Sequence, residues 1–269
     1  MYQQITHDQF TLSYRIYGDG PEVLIAFHGF GCDATDFEAF EPLLKEKYTI
    51  YAFDLFYHGE SPAPDEDFPP ANPSVMAHMI EKLLWKDKRV KFSILAYSLG
   101  GRIALCLVQK LPHRINEVFL VAPDGLKKEW HEDFVARTFV GKMIYKRLIN
   151  HPKTFFSLIN FFVSIKVIHP KLKQFIELNL DSVDKRQKVF NTWRVFRHMR
   201  PDLSVVAHYI NTKSIRLELF FGKYDQIIQP KLGNRLHKRV KRRSKLHLLE
   251  TGHQLLTKAE EISKVILKR

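Results

Sequence analysis

The first half of the chain alternates short apolar runs with longer amphipathic segments. Four runs rich in β-branched and aromatic residues predict strands, at 23–27, 48–53, 92–96 and 117–121. Apolar residues at helical spacing predict the intervening helices, at about 36–46, 73–86 and 99–111. This alternation predicts an α/β fold, in which helices flank a mostly parallel twisted sheet.

The pattern changes in the second half of the chain. From about 126 to 210, apolar residues recur at helical spacing with many Phe, Lys and Arg and few Gly. Strand and helix patterns then return in alternation, at 215–221, about 230–240, 246–249 and about 253–267. We therefore expect a core formed by 1–125 and 211–269, split by an all-helical insertion at 126–210.

The composition is that of a globular protein. The 269 residues are 45% hydrophobic and include 21 Phe. The longest apolar stretch, 155–168, contains Ser, Asn and Lys and is shorter than the ~20 residues of a spanning helix, so we expect no stable membrane insertion. Cys32 and Cys106 allow at most one disulfide, and residues 1–8 lack the pattern of a secretion signal. These features predict a cytoplasmic protein.

The formal net charge is +13, which raises the question of an anionic partner. Lys and Arg cluster at 238–245 and through the middle of the chain, where they interleave with apolar residues at helical spacing. Solvated helix faces account for most of this pattern. Because no nucleic-acid-binding motif is present, we expect a small-molecule substrate and no nucleic acid. We expect no cofactor and no metal, and the chain is a monomer or a homodimer.

Polar or glycine-rich segments follow four of the predicted strands. They are His-Gly-Phe-Gly at 28–31, Asp-Leu-Phe-Tyr-His-Gly at 54–59, Tyr-Ser-Leu-Gly-Gly at 97–101 and Pro-Asp-Gly at 123–125. Ligands of open parallel sheets bind at the carboxyl ends of the strands. The four segments therefore predict one site.

Ser98 is the candidate nucleophile of that site. It lies between a buried strand and a helix, where Gly100 and Gly101 allow a tight turn that exposes the serine hydroxyl. The motif departs from G-x-S-x-G because Ala96 stands at its first position. The alternative is that Ser98 only caps the helix.

Three further elements decide between these interpretations. Backbone N–H groups of Phe30 and Leu99 are placed to form an oxyanion hole, although the glycine-rich segment around Phe30 could be an ordinary turn. His253 follows a predicted strand and is the candidate general base. Asp225 follows another and is the candidate acid that orients His253. Asp124 is the rival acid, and otherwise it orders the entry to the insertion.

With these elements in place, the chain resembles the α/β-hydrolase superfamily with a helical cap, from about residue 10 to its end. The segment 54–61 is similar to the D-x-x-G-H-G-x-S turn of that superfamily, with Tyr57 in place of the first Gly, which predicts a local backbone difference. A serine nucleophile disfavours the haloalkane dehalogenases and epoxide hydrolases, which use Asp. The resemblance implies a serine hydrolase of the carboxylesterase type.

The run Tyr97 to Arg102 is also similar to the elbow of the menaquinone-pathway synthases that eliminate pyruvate. That likeness implies a lyase in which Arg102 binds substrate carboxylates, and it makes Tyr97 a candidate substrate contact. A carbon–carbon bond hydrolase and a ligand receptor without turnover stay open as well. For Arg102, the alternative is an exposed position on its helix, with the side chain extending to water.

Overall fold

An eight-stranded sheet organises the chain in the computed structural model, which describes residues 2–63, 68–85, 91–128, 130–240 and 242–268. The strands are β1 (Tyr2–His7), β2 (Phe10–Tyr17), β3 (Glu22–Phe27), β4 (Tyr48–Phe53), β5 (Phe92–Tyr97), β6 (Ile115–Val121), β7 (Arg216–Gly222) and β8 (Ser244–Leu249). Their order across the sheet is β1-β2-β4-β3-β5-β6-β7-β8. The strands from β4 to β8 in this order are mutually parallel, and β1 and β2 are antiparallel to their neighbours.

The register brings the carboxyl ends of the central strands to one edge. Phe27 at the end of β3 pairs with Ala96 of β5, and Tyr97 pairs with Val121 at the end of β6. Because the strands are parallel, the segments that follow them leave the sheet at the same edge.

All six predicted strands are present, within two residues of the predicted bounds. The structure adds β1 and β2, which the sequence pattern did not predict. They form a hairpin whose turn contains Asp8 at φ 51, rather than the Asn-Gly or Asp-Gly pair that signals such a turn. β1 lies at the sheet edge and is largely exposed, so its apolar alternation is weak.

Helices of the first compact unit cover both faces of the sheet and include α1 (Glu41–Leu44), α2 (Pro73–Leu83), α3 (Leu99–Lys110), α9 (Leu203–Thr212), α10 (Gly233–Arg239) and α11 (Ala259–Leu267). The predicted helix at 36–46 is instead a 3-10 helix, Ala34–Phe40, followed by the short α1. The last residue of the predicted helix at 73–86 lies outside the described residues.

A second compact unit contains the helices between Lys128 and His198. They are α4 (Trp130–Arg137), α5 (Phe139–Asn150), α6 (Lys153–Ser164), α7 (Pro170–Leu180) and α8 (Val183–Val195). Tyr145 of α5 stacks on Phe190 of α8, with ring centroids 5.4 Å apart. The buried Arg186 donates hydrogen bonds to the carbonyls of Ile149 and Leu180. Although α9 falls within the predicted insertion, it belongs to the first unit, where it packs on α3.

A charged network crosses the sheet away from the carboxyl edge. Arg216 donates to Glu218 at 2.8 Å and to Glu117 at 2.9 Å. His247 lies 2.6 Å from the second oxygen of Glu218, whose side chain is buried. Burial alone would raise the pKa of Glu218, but hydrogen bonds from His247 and Arg216 hold that pKa below its ordinary value.

Across the described helices, none combines the length and the apolar character needed to cross a bilayer.

Candidate active site

Ser98 occupies a strained turn between β5 and α3. Its backbone has φ 49 and ψ −115, a conformation that costs a non-glycine residue about 1–3 kcal/mol. Hydrogen bonds from the Ser98 N–H to Val121 and from the Gly101 N–H to the Ser98 carbonyl hold the turn. The serine side chain makes no capping hydrogen bond to α3, so its hydroxyl is available for other partners.

Close packing explains the two glycines after Ser98. A Cβ on Gly100 would lie 2.3 Å from the carbonyl oxygen of Phe27, and one on Gly101 would lie 2.5 Å from the Cβ of Pro123. The absence of side chains lets α3 start directly against β3 and the segment after β6. Ala96, the departure from the usual motif, is accommodated as a fully buried residue of β5.

Ser98, His253 and Asp225 form a hydrogen-bonded chain. Ser98 Oγ lies 3.2 Å from His253 Nε2, and His253 Nδ1 lies 2.8 Å from Asp225 Oδ2. A carboxylate only accepts hydrogen bonds, so Nδ1 carries the imidazole proton and Nε2 accepts from the serine hydroxyl. The Asp225 side chain is fully buried, and that of His253 is 12% exposed. In this arrangement Ser98 is the candidate nucleophile, His253 the candidate base and Asp225 the candidate orienting acid.

The backbone after β7 fixes the Asp225 carboxylate. Its Oδ1 accepts hydrogen bonds from the N–H groups of Ile227 at 2.7 Å and Ile228 at 3.0 Å. One oxygen is therefore held by the loop while the other faces the imidazole. This arrangement orients His253 through a rigid partner.

Asp124, the rival acid, has other partners. Its Oδ2 pairs with Arg102 Nη2, and its Oδ1 accepts from the Gly125 N–H at 2.5 Å. Its own N–H donates to the Ser98 carbonyl at 2.8 Å. Asp124 thus orders the segment that leaves β6 and stabilises the turn at Ser98.

The expectation that Arg102 extends into water is wrong. Its side chain is 11% exposed and forms an ion pair with Asp124, whose side chain is 17% exposed. Backbone hydrogen bonds beside Ser98 hold Asp124 in place. The Arg102 guanidinium therefore lies against the protein to reach Asp124 and does not extend into water.

Tyr97 contacts His253 through both its hydroxyl and its ring. Its hydroxyl donates a 2.8 Å hydrogen bond to the backbone carbonyl of His253, and the two rings lie 5.4 Å apart. Burial raises the pKa of Tyr97, which keeps the hydroxyl protonated as a donor. No local sequence pattern predicts this contact, because it joins residues 156 positions apart.

The segment after β3 passes directly over Ser98. A Cβ on Gly29 would lie 3.0 Å from the Cβ of Ser98. His28 is fully buried, accepts a hydrogen bond from the Leu55 N–H at Nε2, and donates from Nδ1 to the Gly29 carbonyl. Among the residues that the structure describes, neither Phe30 nor Leu99 uses its N–H in a hydrogen bond.

The turn after β4 supports that segment. The buried carboxylate of Asp54 accepts from the N–H groups of Ala34 at 2.6 Å and Glu60 at 2.8 Å. Tyr57 has φ 66, so this tyrosine takes up a left-handed conformation that favours glycine. A non-glycine residue in this conformation is strained.

Metal-binding side chains do not gather elsewhere in the described part of the chain: it contains no group of three or more His, Cys, Asp and Glu able to hold an ion. Cys32 and Cys106 are both free thiols. Burial, with a smaller contribution from Asp36, raises the pKa of Cys32 to about 12.

Comparisons with known proteins agree with this architecture. The family model of the alpha/beta hydrolase fold matches residues 22–143. The chain is 25% identical over 262 residues to the uncharacterized hydrolase YugF of Bacillus subtilis, covering 93% of this chain and 90% of that protein. It is 30% identical over 117 residues to an uncharacterized protein of Mycobacterium tuberculosis, a match that spans 44% of this chain and only 33% of the relative.

Solved structures extend the likeness to the whole chain. A thermophilic esterase from Thermogutta terrifontis superposes with a TM-score of 0.69 at 18% identity, covering 99% of this chain and 96% of the esterase. At that identity the superposition establishes the fold alone. Together with the sheet order and the match of the family model to residues 22–143, it shows that the chain has the α/β-hydrolase fold.

Proposed function

We propose that the protein is a serine hydrolase that cleaves a carboxylic ester or a related acyl bond of a small molecule. The observation that carries the proposal is the continuous hydrogen-bonded chain from Ser98 through His253 to Asp225. Ser98 lies on a strained turn. The order of Ser98, Asp225 and His253 along the sequence is that of α/β-hydrolases.

The first half of the reaction acylates the serine. Ser98 Oγ attacks the substrate carbonyl carbon while His253 Nε2 takes the hydroxyl proton. The tetrahedral intermediate collapses when the same proton passes from His253 to the leaving alcohol. Asp225 keeps Nδ1 protonated and stabilises the imidazolium that exists between these two transfers.

Water completes the reaction. His253 removes a proton from a water molecule that attacks the acyl carbon, and the proton then returns to Ser98 Oγ as the ester bond to the serine breaks. The products are a carboxylic acid and the free enzyme. The net change is hydrolysis, with no group consumed other than water.

The N–H groups of Phe30 and Leu99 are proposed to hold the oxyanion. Leu99 follows Ser98 directly, and the close approach of Gly29 to Ser98 brings the neighbouring Phe30 to the same turn. Within the described chain, both N–H groups lack a competing acceptor. N–H donors that are held in position before a reaction stabilise developing negative charge without reorganisation.

The esterase assignment draws on the relatives as well as the site. The Thermogutta protein that shares the fold is an esterase, and YugF is described as a hydrolase. The lyase alternative needs Arg102 to bind a substrate carboxylate. The ion pair between Arg102 and Asp124 already engages that guanidinium, which favours ester hydrolysis over the lyase reaction.

Hydrolysis of p-nitrophenyl esters with acetyl, butyryl and octanoyl chains tests the proposal. We expect turnover by the parent, and a loss of about 1,000-fold or more in Ser98→Ala. Ser157→Ala, which changes an exposed serine of α6, is the matched control and keeps parental activity. Equal turnover by parent and Ser98→Ala, or a parent inactive on all three esters, would overturn the assignment.

A further inference from the structure

Positive charge and exposed apolar side chains occur together in the second unit. Between residues 134 and 176 the sequence has eight Lys and Arg residues and no Asp or Glu. The same segment supplies nine of the eighteen large apolar side chains that are exposed in the described residues. They are Phe134, Phe139, Val140, Met143, Ile144, Leu158, Phe161, Ile165 and Val167. We call the exposed residues of 134–176 the basic apolar surface.

Helix α5 presents one part of this surface as a stripe. Phe139 is 81% exposed, and Val140, Met143 and Ile144 are each about half exposed. Residues spaced by four lie above one another on a helix, so Phe139 aligns with Met143 and Val140 with Ile144. The opposite face of α5 is buried against its own unit through Tyr145. The stripe is therefore a second apolar face on a helix that already has a packed one.

Basic side chains border the α5 stripe. Lys142 and Lys146 lie within the helix, and Arg147 continues the line of Phe139 and Met143 by one turn. The twelve residues of α5 contain no acidic side chain.

Helix α6 and the residues after it present a similar arrangement. Leu158, Phe161 and Ile165 are exposed at spacings of three and four, which places them on one helical face. Val167, 68% exposed, follows Lys166 just beyond the helix end. A solvated helix face would be polar at these positions, so neither stripe is explained by charge patterning alone.

The combination of positive charge and exposed apolar side chains favours one class of binding partner over the others. A second copy of this surface would bring its six exposed Lys and Arg residues against the same six, which disfavours self-association. Nucleic acid would be attracted by the charges but would leave the aliphatic stripes exposed. An anionic lipid surface satisfies both, since acyl chains accept the apolar residues while phosphate headgroups accept the Lys and Arg.

We propose that the basic apolar surface binds the interface of membranes that contain anionic phospholipid. Helix α5, twelve residues long, is too short to span the ~20-residue hydrocarbon core, so it lies in the headgroup region with its exposed stripe inserted. The proposal does not rest on the proposed hydrolysis, because its argument uses none of Ser98, His253 and Asp225.

Flotation of the full-length protein with vesicles tests the proposal. We expect binding to phosphatidylcholine vesicles containing about one third phosphatidylglycerol, weak binding to pure phosphatidylcholine, and release at about 0.5 M NaCl. The charge variant Lys142→Glu, Arg147→Glu, Lys153→Glu should bind at least about a hundredfold more weakly, at roughly fivefold for each charge. The apolar variant Phe139→Ser, Met143→Ser should lose about tenfold or more.

A matched variant separates the effect of the basic apolar surface from the effect of net charge. Lys238→Glu, Arg242→Glu, Lys245→Glu changes the charge by the same amount at exposed positions of the first unit, and it should bind nearly as well as the parent. Ester hydrolysis should be unchanged in all variants, which shows that they fold. No binding by the parent, an equal loss in the matched variant, or binding to duplex DNA instead of vesicles would overturn the proposal.

Discussion

The hydroxyl of Tyr97 donates a 2.8 Å hydrogen bond to the backbone carbonyl of His253. Tyr97 is the last residue of β5 and immediately precedes Ser98, so the bond joins the turn at Ser98 to the loop that carries His253. Ser98 and His253 are consequently linked twice, through their own side chains and through this backbone contact.

Tyr97→Phe removes that second link and keeps the buried ring. A neutral hydrogen bond contributes about 0.5–1.5 kcal/mol, so we expect kcat to fall by about 2–10-fold with little change in KM. Stopped-flow hydrolysis of p-nitrophenyl acetate separates the two constants. A rise in KM at constant kcat would show that Tyr97 contacts the substrate instead of positioning His253.

Asp225→Asn should abolish most activity without unfolding the protein. The amide oxygen can still accept from Ile227 and Ile228, but the amide nitrogen faces His253 Nδ1 and favours the wrong imidazole tautomer. We expect kcat to fall by about 1,000–10,000-fold. Asp124→Asn is the matched control, with near-parental kcat below its melting temperature. The reverse ranking of the two variants would make Asp124 the acid.

Arg102→Met should act on stability and not on substrate selection. It breaks a partly buried ion pair with Asp124, which we expect to cost about 2 kcal/mol and to lower Tm by about 4–8 °C. Calorimetry measures this loss. KM should be unchanged both for a neutral ester and for an ester that carries a free carboxylate. A large rise in KM for the carboxylate ester alone would support the lyase-like role of Arg102.

Acid stability should depend on Glu218. Its pKa is held below the ordinary 4.5 in the folded protein, so its contribution to stability is present above about pH 4.5. That contribution is lost as pH falls through the lower, folded pKa, when the carboxylate paired with His247 and Arg216 becomes protonated. Between about pH 5 and 3, Glu218→Gln should therefore lose Tm less steeply than the parent. Parallel slopes would contradict this role.

The sequence predicted the parts of the fold that repeat a strong local signal. The six parallel strands appeared as apolar runs. Both faces of an inner strand such as β5 are buried, whereas β8 at the sheet edge is only partly buried. The hairpin of β1 and β2 was not predicted, because its edge strand is exposed and its turn uses Asp8 instead of glycine. The unit to which α9 belongs was not predicted, because helical spacing does not reveal which unit a helix packs against.

The sequence likewise predicted some features of the candidate site and missed others. Ser98, Asp225 and His253 were predicted because strand ends and chain order locate them, and the structure brings the three together. The partners of Tyr97 and Arg102 were not predictable, because each depends on a contact that only the folded chain creates. Local spacing reports which residues reach the sheet edge, whereas tertiary geometry decides what they touch.

The central claim is that His253 and Asp225 make Ser98 an activated nucleophile. The most direct measurement is covalent labelling by a fluorophosphonate probe, followed by intact mass spectrometry and peptide mapping. We predict a single adduct on Ser98 in the parent, strongly slowed labelling in His253→Ala, and none in Ser98→Ala. Labelling of another residue, or an unreactive Ser98 in the folded parent, would contradict the account.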